Sequence, residues 1–189
     1  MAETRLLAEE TTTAGWRWEV SRDPVEAHAL LCACDAHQAA ASGTPAPRRR
    51  PETTEARVRS GSVRLLRHGT RAAGMFTLTW DRPFTVAEGV YPHAARPIHL
   101  SRLAVAPEWL ADGSLVGLRC VRHAIEEAAR AGADVLRSEA NPDLRQTRSL
   151  LDILGFRQYG PTLGEEGGSR RVHLQKTLRT AASGPDREG

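Results

Sequence analysis

The chain has 189 residues, enough for one domain with a real hydrophobic core and too few for two ordinary domains. The net charge of +3 suits an anionic ligand, but the 26 Lys and Arg residues are interspersed with 23 Asp and Glu residues. This pattern excludes the concentrated basic surface of a nucleic-acid-binding protein. No apolar run is long enough to span a bilayer, and the N-terminus lacks the apolar segment of a secretion signal. The composition therefore predicts a cytoplasmic protein that binds neither nucleic acid nor membrane.

Both ends of the chain are predicted to lie outside the folded domain. Residues 1–14 are polar and threonine-rich, which is typical of a loose tail. Residues 180–189 are rich in Gly, Pro and acidic residues, which favours a disordered tail. We therefore expect a single domain over residues 15–179.

A strand followed by a helix is predicted to open the domain. Trp16–Val20 alternates in polarity, as a half-buried strand does. Asp23 is a typical N-cap, and the proline that follows it fits the first helical position. Glu26 would close a capping box with that N-cap. The helix should continue to about Ala40.

The cysteines do not indicate a disulfide. Cys32 and Cys34 lie two positions apart on the predicted helix, so their side chains point in different directions. The spacing of His28, Cys32 and His37 would allow these side chains to bind a metal ion. Buried free thiols in a core helix are much commoner, so no metal site is predicted.

Two long segments are predicted to shape a pocket. A hairpin is indicated by two strand-like runs, residues 62–66 and 72–80, that meet across a turn at Gly69. The first segment, residues 43–59, precedes the hairpin and contains the basic triplet Arg48–Arg50. The second segment, residues 81–97, follows the hairpin and is a connection with three prolines. Long connections in compact domains are often functional, so both segments are candidate pocket walls.

The central stretch predicts a strand over Ile98–Val105, a loop over residues 109–114 and a helix ending near Arg130. A short strand over residues 134–139 and a second helix starting at Asn141 follow. The final strand is predicted over residues 170–178. A strand that leads through a glycine-containing loop into a helix forms an anion site, because the first helical N–H groups have no internal partner.

Each central helix is predicted to bury an apolar stripe. In the first helix the stripe is formed by Leu118, Val121, Ile125 and Ala128. In the second helix Asn141 would serve as the N-cap, and Gly155 would end the helix in the left-handed conformation.

The ordered set of these motifs resembles the GNAT superfamily of acyltransferases. The motifs are Arg102–Glu108, the glycine-bearing loop, the helix that ends at Ala131-Gly132-Ala133, Glu139–Pro142 and Leu150–Phe156. In order of elements the resemblance covers Trp16 to Leu178, and it is specific over Leu100–Phe156. It implies an α/β fold whose mixed sheet splays apart centrally between flanking helices.

The resemblance also implies a function. The expected reaction moves an acyl group, acetyl or larger, from a pantetheine thioester to the amine of a small molecule, without a metal. The thioester would be acyl-CoA or the phosphopantetheine of an acyl carrier protein. The pantetheine arm would lie in the split of the sheet, and the pyrophosphate would meet helix N–H groups. The cofactor-binding residues implied are Leu103, Val105, Gly113, Ser114, Gly117 and Asn141.

Direct attack on a thioester requires a deprotonated amine and a hydrogen-bond donor that stabilises the developing oxyanion. The N–H of Val105 is a candidate for that donor. Alternation along the strand could bring His99 and Ser101 to the acceptor side, and His99 is the better base because its ordinary pKa lies near neutrality. Glu139, at the end of the next strand, is the second candidate base.

Two departures from the family pattern concern the acyl donor and the general acid that would protonate the leaving thiolate. The loop over residues 110–117 lacks the usual basic residue and carries Asp112, whose charge opposes a pyrophosphate. Leu151 stands where the family often has a tyrosine that protonates the leaving thiolate. Ser149, Tyr159 or water would have to replace it.

The weakened loop resembles the branch of autoinducer synthases and N-acyl-amino-acid synthases, which use a carrier protein. A basic rim formed by Arg119, Arg122 and Arg48–Arg50 would suit an acidic carrier. The alternative is a non-catalytic acyl-CoA-binding or regulatory module with the same fold. The sequence leaves the acceptor and the oligomeric state open, a homodimer included.

Overall fold

The computed structural model describes residues 15–111, 114–165 and 169–178, with the side chain of residue 111 excepted. The two predicted tails lie outside these ranges. So do Asp112 and Gly113 of the predicted phosphate loop. Over the described ranges, none of the helices combines the length and apolar character needed to cross a membrane.

The described residues form a seven-stranded sheet in the order β1-β2-β3-β4-β5-β7-β6. Its strands are β1 (Trp16–Val20), β2 (Val63–His68), β3 (Arg71–Thr79), β4 (Pro97–Val105), β5 (Val135–Ala140), β6 (Arg157–Leu163) and β7 (Arg171–Thr177). The β4–β5 pair is parallel and the other neighbouring pairs are antiparallel. This arrangement confirms the predicted α/β fold with a mixed sheet.

Helices cover both faces of the sheet. They are α1 (Pro24–Ser42), α2 (Pro51–Arg59), α3 (Pro107–Ala111), α4 (Val116–Arg130) and α5 (Arg145–Ile153). One hydrophobic core joins α4 and α5 to the sheet, and a second core joins α1 and α2 to it. Consecutive residues of β3 divide between them, since Met75 belongs to the α1–α2 core and Phe76 to the α4 core.

The first half of the chain folds largely as its sequence predicts. The side chain of Asp23 accepts hydrogen bonds from two N–H groups of the first turn of α1, as an N-cap does. The predicted capping box is wrong, because the Glu26 carboxylate binds the guanidinium of Arg67 instead. Pairing of β2 with β3 across Gly69 confirms the predicted hairpin.

The second half departs from the prediction in three elements. Strand β6 was not predicted, because Gly160 and Pro161 interrupt its pattern and most of its side chains are exposed. It lies at the edge of the sheet, where proline is tolerated. Helix α3 occupies part of the predicted loop, and α5 begins at Arg145 rather than at Asn141.

The buried stripe of α4 is rotated from the predicted one. Val121 and Ala128 are buried as predicted, whereas Leu118 and Ile125 are half-buried. The other buried positions of the helix are Val116, Cys120 and Ala124. The small side chains at 120 and 124 let the helix lie close to the sheet, which apolarity alone does not indicate.

The sheet divides between β4 and β5, as predicted. The two strands pair from Pro97 opposite Val135 to Leu100 opposite Ser138. Beyond that point β4 continues beside β3, and β5 continues beside β7. One edge of β4 therefore loses its strand partner from Ser101 onward.

Gly74 of β3 sets the distance between the sheet and α4. A Cβ added there would lie 2.8 Å from Sγ of Cys120 and 2.9 Å from Cγ1 of Val116, both on α4. The same atom would lie 3.3 Å from the carbonyl oxygen of Ala104. The first turns of α4 are therefore fitted to a strand without a side chain at this position.

Substitution of Gly74 tests this packing. Gly74→Ala should lower the free energy of unfolding by about 1–3 kcal/mol, because the added methyl group overpacks the contact with α4. Gly117→Ala is the matched control, since its Cβ would meet other atoms only at 3.5 Å or more. The control should be neutral or stabilising by up to about 1 kcal/mol, since alanine is the better helix former. Equal urea denaturation midpoints for the two variants would contradict this account.

Candidate functional site

A β-bulge lies at the point where β4 leaves β5. Ala104 is opposite Met75 and Ser101 is opposite Thr77, so β4 has one residue more than β3 between these pairs. In this part of β4, Arg102 has φ 52°, and it is the one non-glycine residue with positive φ in the described ranges. The bulge shifts the alternation, so that Val105 faces the α4 core and Ala104 faces the α1–α2 core.

The backbone of Val105 presents an N–H group beside the split. Its nearest acceptor is Sγ of Cys34 on α1, at 3.4 Å. Burial raises the pKa of the Cys34 thiol, so the sulfur is a neutral and weak acceptor. The side chains of Leu103 and Val105 pack into the α4 core, so these two predicted residues can serve a ligand in the split through their backbone.

The N-terminus of α4 lies next to this edge. A Cβ added to Gly117 would lie 3.8 Å from Cγ2 of Val105 and 3.5 Å from Cδ2 of Leu150 on α5. The N-cap residue Leu115 makes no side-chain hydrogen bond to the first turn. The first helical N–H groups therefore retain the capacity to bind an anion.

Two of the predicted cofactor-binding residues in and after the loop, Ser114 and Gly117, lie within the described residues. The Ser114 hydroxyl donates to the carbonyl of Trp109, which ties the end of the loop to α3. Gly117 lies at the split, as above. Gly113 lies outside the described residues, so its assignment stays a prediction.

Asn141 joins the end of β5 to the connection between α1 and α2. Its Nδ2 donates to the hydroxyl of Thr44 at 3.5 Å, and its Oδ1 accepts from the N–H of Asp143 at 2.9 Å. The prediction that Asn141 caps α5 is wrong, because the turn at Asp143 precedes the helix and Leu144 is the N-cap. This contact brings Thr44, from the predicted wall segment 43–59, to the end of β5.

His99 lies within the paired part of β4 and is enclosed. The residue is 3% exposed, and neither ring nitrogen makes a well-formed hydrogen bond within the described residues. The ring of Phe84, from the long connection, contacts it edge-on with the centroids 5.7 Å apart. Burial lowers the pKa of His99, and the charge of Arg137 lowers it further. The imidazole is therefore neutral, but it is shielded from the open part of the split.

Ser101 and Glu139 are the first residues beyond the last β4–β5 pair. Ser101 is half-buried on β4. The Glu139 carboxylate is 27% exposed, and it lies 3.6 Å from Nε of Arg171 and 3.8 Å from Nδ1 of His173. Burial raises the pKa of Glu139, and Arg171 opposes this shift. Of the three predicted catalytic residues, Glu139 combines a perturbed pKa with access to the mouth of the split.

A cluster around Glu139 was not predicted from the sequence. Tyr91 of the long connection donates to the carbonyl oxygen of Leu174 at 3.3 Å, and its ring lies 4.4 Å from the guanidinium carbon of Arg137. Arg137 also donates to the carbonyl of Pro92 at 2.9 Å. The long connection is thereby fastened over β5 and β7, next to His173. Tyr91 stands alone in a loop, and the alternation of β7 identifies His173 as a strand residue without indicating its neighbours, which explains the omission.

The structure also places the residues considered for protonation of a leaving group. Leu151 is 2% exposed and belongs to the α4 core, so it presents nothing to the split. Ser149 is exposed on α5. Tyr159 of β6 lies opposite His173 in the sheet, and its ring centroid lies 6.0 Å from that of Tyr91. Burial raises the pKa of Tyr91, which keeps that phenol protonated at neutral pH.

Solved structures with the same fold come from GNAT acetyltransferases. A GNAT-family acetyltransferase from Streptococcus agalactiae 2603 superposes with a TM-score of 0.62 and 16% identity, covering 88% of this chain and 97% of that chain. The yncA protein of Salmonella typhimurium, solved with its cofactor acetyl-CoA, gives a TM-score of 0.61 at 18% identity over 89% and 97% of the two chains. The ribosomal-protein-alanine N-acetyltransferase of Brucella melitensis gives 0.60 at 21% identity over 86% and 99%.

These similarities show that the chain has the GNAT fold, as the ordered motifs indicated. No protein-family model matches the sequence. No curated protein matches it either. The identities to the solved structures are low enough that the fold is what they establish.

Burial of His99 predicts a pH-dependent stability. The folded-state pKa lies below the ordinary value of about 6.5, so the unfolded chain binds more protons as the pH falls through that value. The free energy of unfolding should therefore decrease as the pH is lowered from 7 to 5. His99→Asn should reduce this slope, by at most about 1.4 kcal/mol per pH unit for one proton.

Urea denaturation at several pH values measures the slope. Burial also lowers the pKa values of His123 and His173. These two residues should therefore maintain the rest of the pH dependence of the free energy of unfolding. The exposed His37 on α1, changed to Asn, controls for the loss of a histidine as such. An unchanged slope in His99→Asn would contradict the enclosed, neutral imidazole.

Proposed function

We propose that this protein is a GNAT-type N-acyltransferase that transfers an acyl group from acyl-CoA to the amine of a small molecule. The observation that carries the proposal is the unpaired edge of β4 beyond Leu100, which lies beside the uncapped N-terminus of α4. A strand edge and a helix N-terminus side by side suit a ligand with amides at one end and phosphates at the other. The pantetheine and pyrophosphate of CoA have that chemistry.

The donor would bind through the backbone of the protein. The amides of the pantetheine arm can pair with the free edge of β4, as an added strand pairs with a sheet. The pyrophosphate would meet the first N–H groups of α4. The thioester carbonyl can replace the weakly bound sulfur of Cys34 on the N–H of Val105, and that N–H would then stabilise the oxyanion.

Glu139 is assigned as the general base. The amine nitrogen attacks the thioester carbonyl carbon, the C–S bond breaks, and Glu139 takes the proton that the nitrogen loses. The thiolate leaves with a proton from water or from the Tyr159 hydroxyl. His99 and Ser101 remain alternatives, and the enclosure of His99 is the reason for preferring Glu139.

A carrier-borne thioester is the second candidate for the donor. The supporting observation is the sequence over residues 110–117, which lacks a basic residue and contains Asp112. A carrier-borne pantetheine has no nucleotide, so it would not need this loop. The exposed Arg119, which stacks 5.1 Å from the centroid of the Trp16 ring, lies close by on α4 and suits an acidic partner.

Glu139→Gln tests the enzyme and its base together. Titration calorimetry with CoA and thiol release from acetyl-CoA with an amine panel measure binding and turnover separately. Glu139→Gln should lower kcat by about 10²-fold or more while donor binding persists, as expected for a general base. Glu88→Gln, at an exposed position of the long connection, is the matched control. Loss of turnover in His99→Gln but not in Glu139→Gln would reassign the base, and CoA binding without any turnover would favour a non-catalytic module.

The pH profile should show the raised pKa of Glu139. A base acts when deprotonated, so turnover should rise with pH through a value above the ordinary glutamate pKa of about 4.3. Arg171→Gln removes the charge that lowers this pKa and should move the rise to higher pH. Arg157→Gln, exposed on β6, should leave the profile in place. A profile that Glu139→Gln leaves unchanged would refute the assignment.

Asp112→Arg distinguishes the two donors. Asp112 precedes the start of α4 by four residues in the sequence. Replacing its negative charge with a positive one should tighten binding of a pyrophosphate at that helix N-terminus, typically by ~0.3–1 kcal/mol per charge. Transfer from a carrier-borne donor should change little. Calorimetry with CoA and transfer assays with each donor provide the comparison. Tight CoA binding by the unmodified protein would exclude the need for a carrier.

A further inference from the structure

Arg102 carries a half-buried cation without a carboxylate partner. Its guanidinium donates to the hydroxyl of Thr54 on α2 at 2.9 Å, and it forms no ion pair with any described residue. Burial lowers the pKa of Arg102. Half-buried arginines are usually paired, so this one is available to an anion from outside.

The charges around Arg102 reinforce this availability. Arg49 and Arg57 act on it as like charges, and Asp35 is the carboxylate that opposes them. Asp35 is already engaged, because it accepts hydrogen bonds of 2.6 Å and 3.1 Å from Arg49. The carboxylate that acts on Arg102 is therefore already neutralised by another arginine.

A chain of hydrogen bonds holds the guanidinium in place. Thr54 is 1% exposed, and its hydroxyl oxygen also lies 3.0 Å from Nδ1 of His28 on α1. One hydroxyl oxygen therefore bridges the guanidinium on β4 and the imidazole on α1. The other ring nitrogen of His28 lies 3.4 Å from Sγ of Cys32. A cation fixed in this way loses little conformational freedom when it binds an anion.

The backbone conformation directs Arg102 to the acceptor side. A positive φ is unfavourable for arginine, and here it accompanies the β-bulge of β4. The contact of Arg102 with α2 lies on the sheet face opposite α4. The N-terminus of α4 is assigned to the pyrophosphate of the acyl donor. Arg102 is also only three residues from Val105, whose N–H is assigned to the thioester carbonyl.

We infer that Arg102 binds an anionic group of the acceptor, so that the acceptor is an amine that also carries a carboxylate or a phosphate. This inference rests on the proposed acyl transfer and names the substrate class of the same site. The planar fork of a guanidinium binds both anions through paired hydrogen bonds. The acceptor amine would approach the split from the α1–α2 face, with its anionic group on Arg102 and its nitrogen directed at the thioester.

Matched acceptor pairs test the inference with acetyl-CoA as the donor. One set comprises L-amino acids and their amides, and the other comprises phosphoethanolamine and ethanolamine. The charged member of at least one set should have a kcat/KM about 10- to 100-fold higher, mainly through KM, as expected for a charge-assisted hydrogen bond. Equal rates within both sets, with transfer active, would overturn the inference and leave the proposed function intact.

Arg102→Gly removes the guanidinium and fits the positive φ, so the variant should remain folded. It should abolish the preference for the charged acceptor. Thr54→Val keeps the cation but removes its anchor, and it should raise KM for the charged acceptor with little change in kcat. Arg59→Gln removes an exposed arginine from α2, where it pairs with Glu55, and it should retain the full preference.

Thermal unfolding and CoA titration of every variant establish that each is folded and binds the donor. A preference that survives in folded Arg102→Gly would overturn the assignment of the anion to this residue. Failure of the unmodified protein to acylate any amine would overturn the proposed function, and the inference with it.

Discussion

The ladder between β4 and β5 stops at Leu100 and Ser138, and the rest of the candidate site depends on that interruption. An unpaired strand edge inside a protein is costly unless its polar groups find other partners. Here the edge is short, and among the described residues the N–H of Val105 has only a thiol as acceptor. The sheet thus keeps a place where a ligand can supply hydrogen bonds that the protein itself does not make.

The bulge in β4 turns this opening into a site with two different sides. The extra residue reverses the alternation, so that side chains beyond it divide between α4 and the α1–α2 pair. On one side the chain offers backbone N–H groups, which recognise a ligand by shape and polarity. On the other side lie the charged side chains of Arg102 on β4 and Glu139 on β5, which could recognise a ligand by charge. One irregular residue of β4 therefore separates its backbone donor at Val105 from its cation at Arg102.

Elements with strong periodicity or capping chemistry could be predicted from the sequence, and elements defined by tertiary contacts could not. Asp23 and the glycine turn at Gly69 act locally, so their roles were evident. Strand β6 owes its existence to pairing with β7. Asn141 was misassigned because its side chain closes a turn at Asp143 that precedes the helix. Likewise, Glu139 was proposed from its place at the end of a predicted strand, and its role stays a prediction. The surrounding Tyr91 and His173 meet only in the folded chain.

The two hydrophobic cores have no buried residue in common, although Trp109 and Leu110 pack against both. Changes in α1 or α2 therefore need not disturb the packing of α4 against the sheet. Such a division lets one half of a protein diverge while the other is held constant by its ligand. Lineages with this architecture could exchange acceptors through substitutions confined to a single layer, without passing through unstable intermediates.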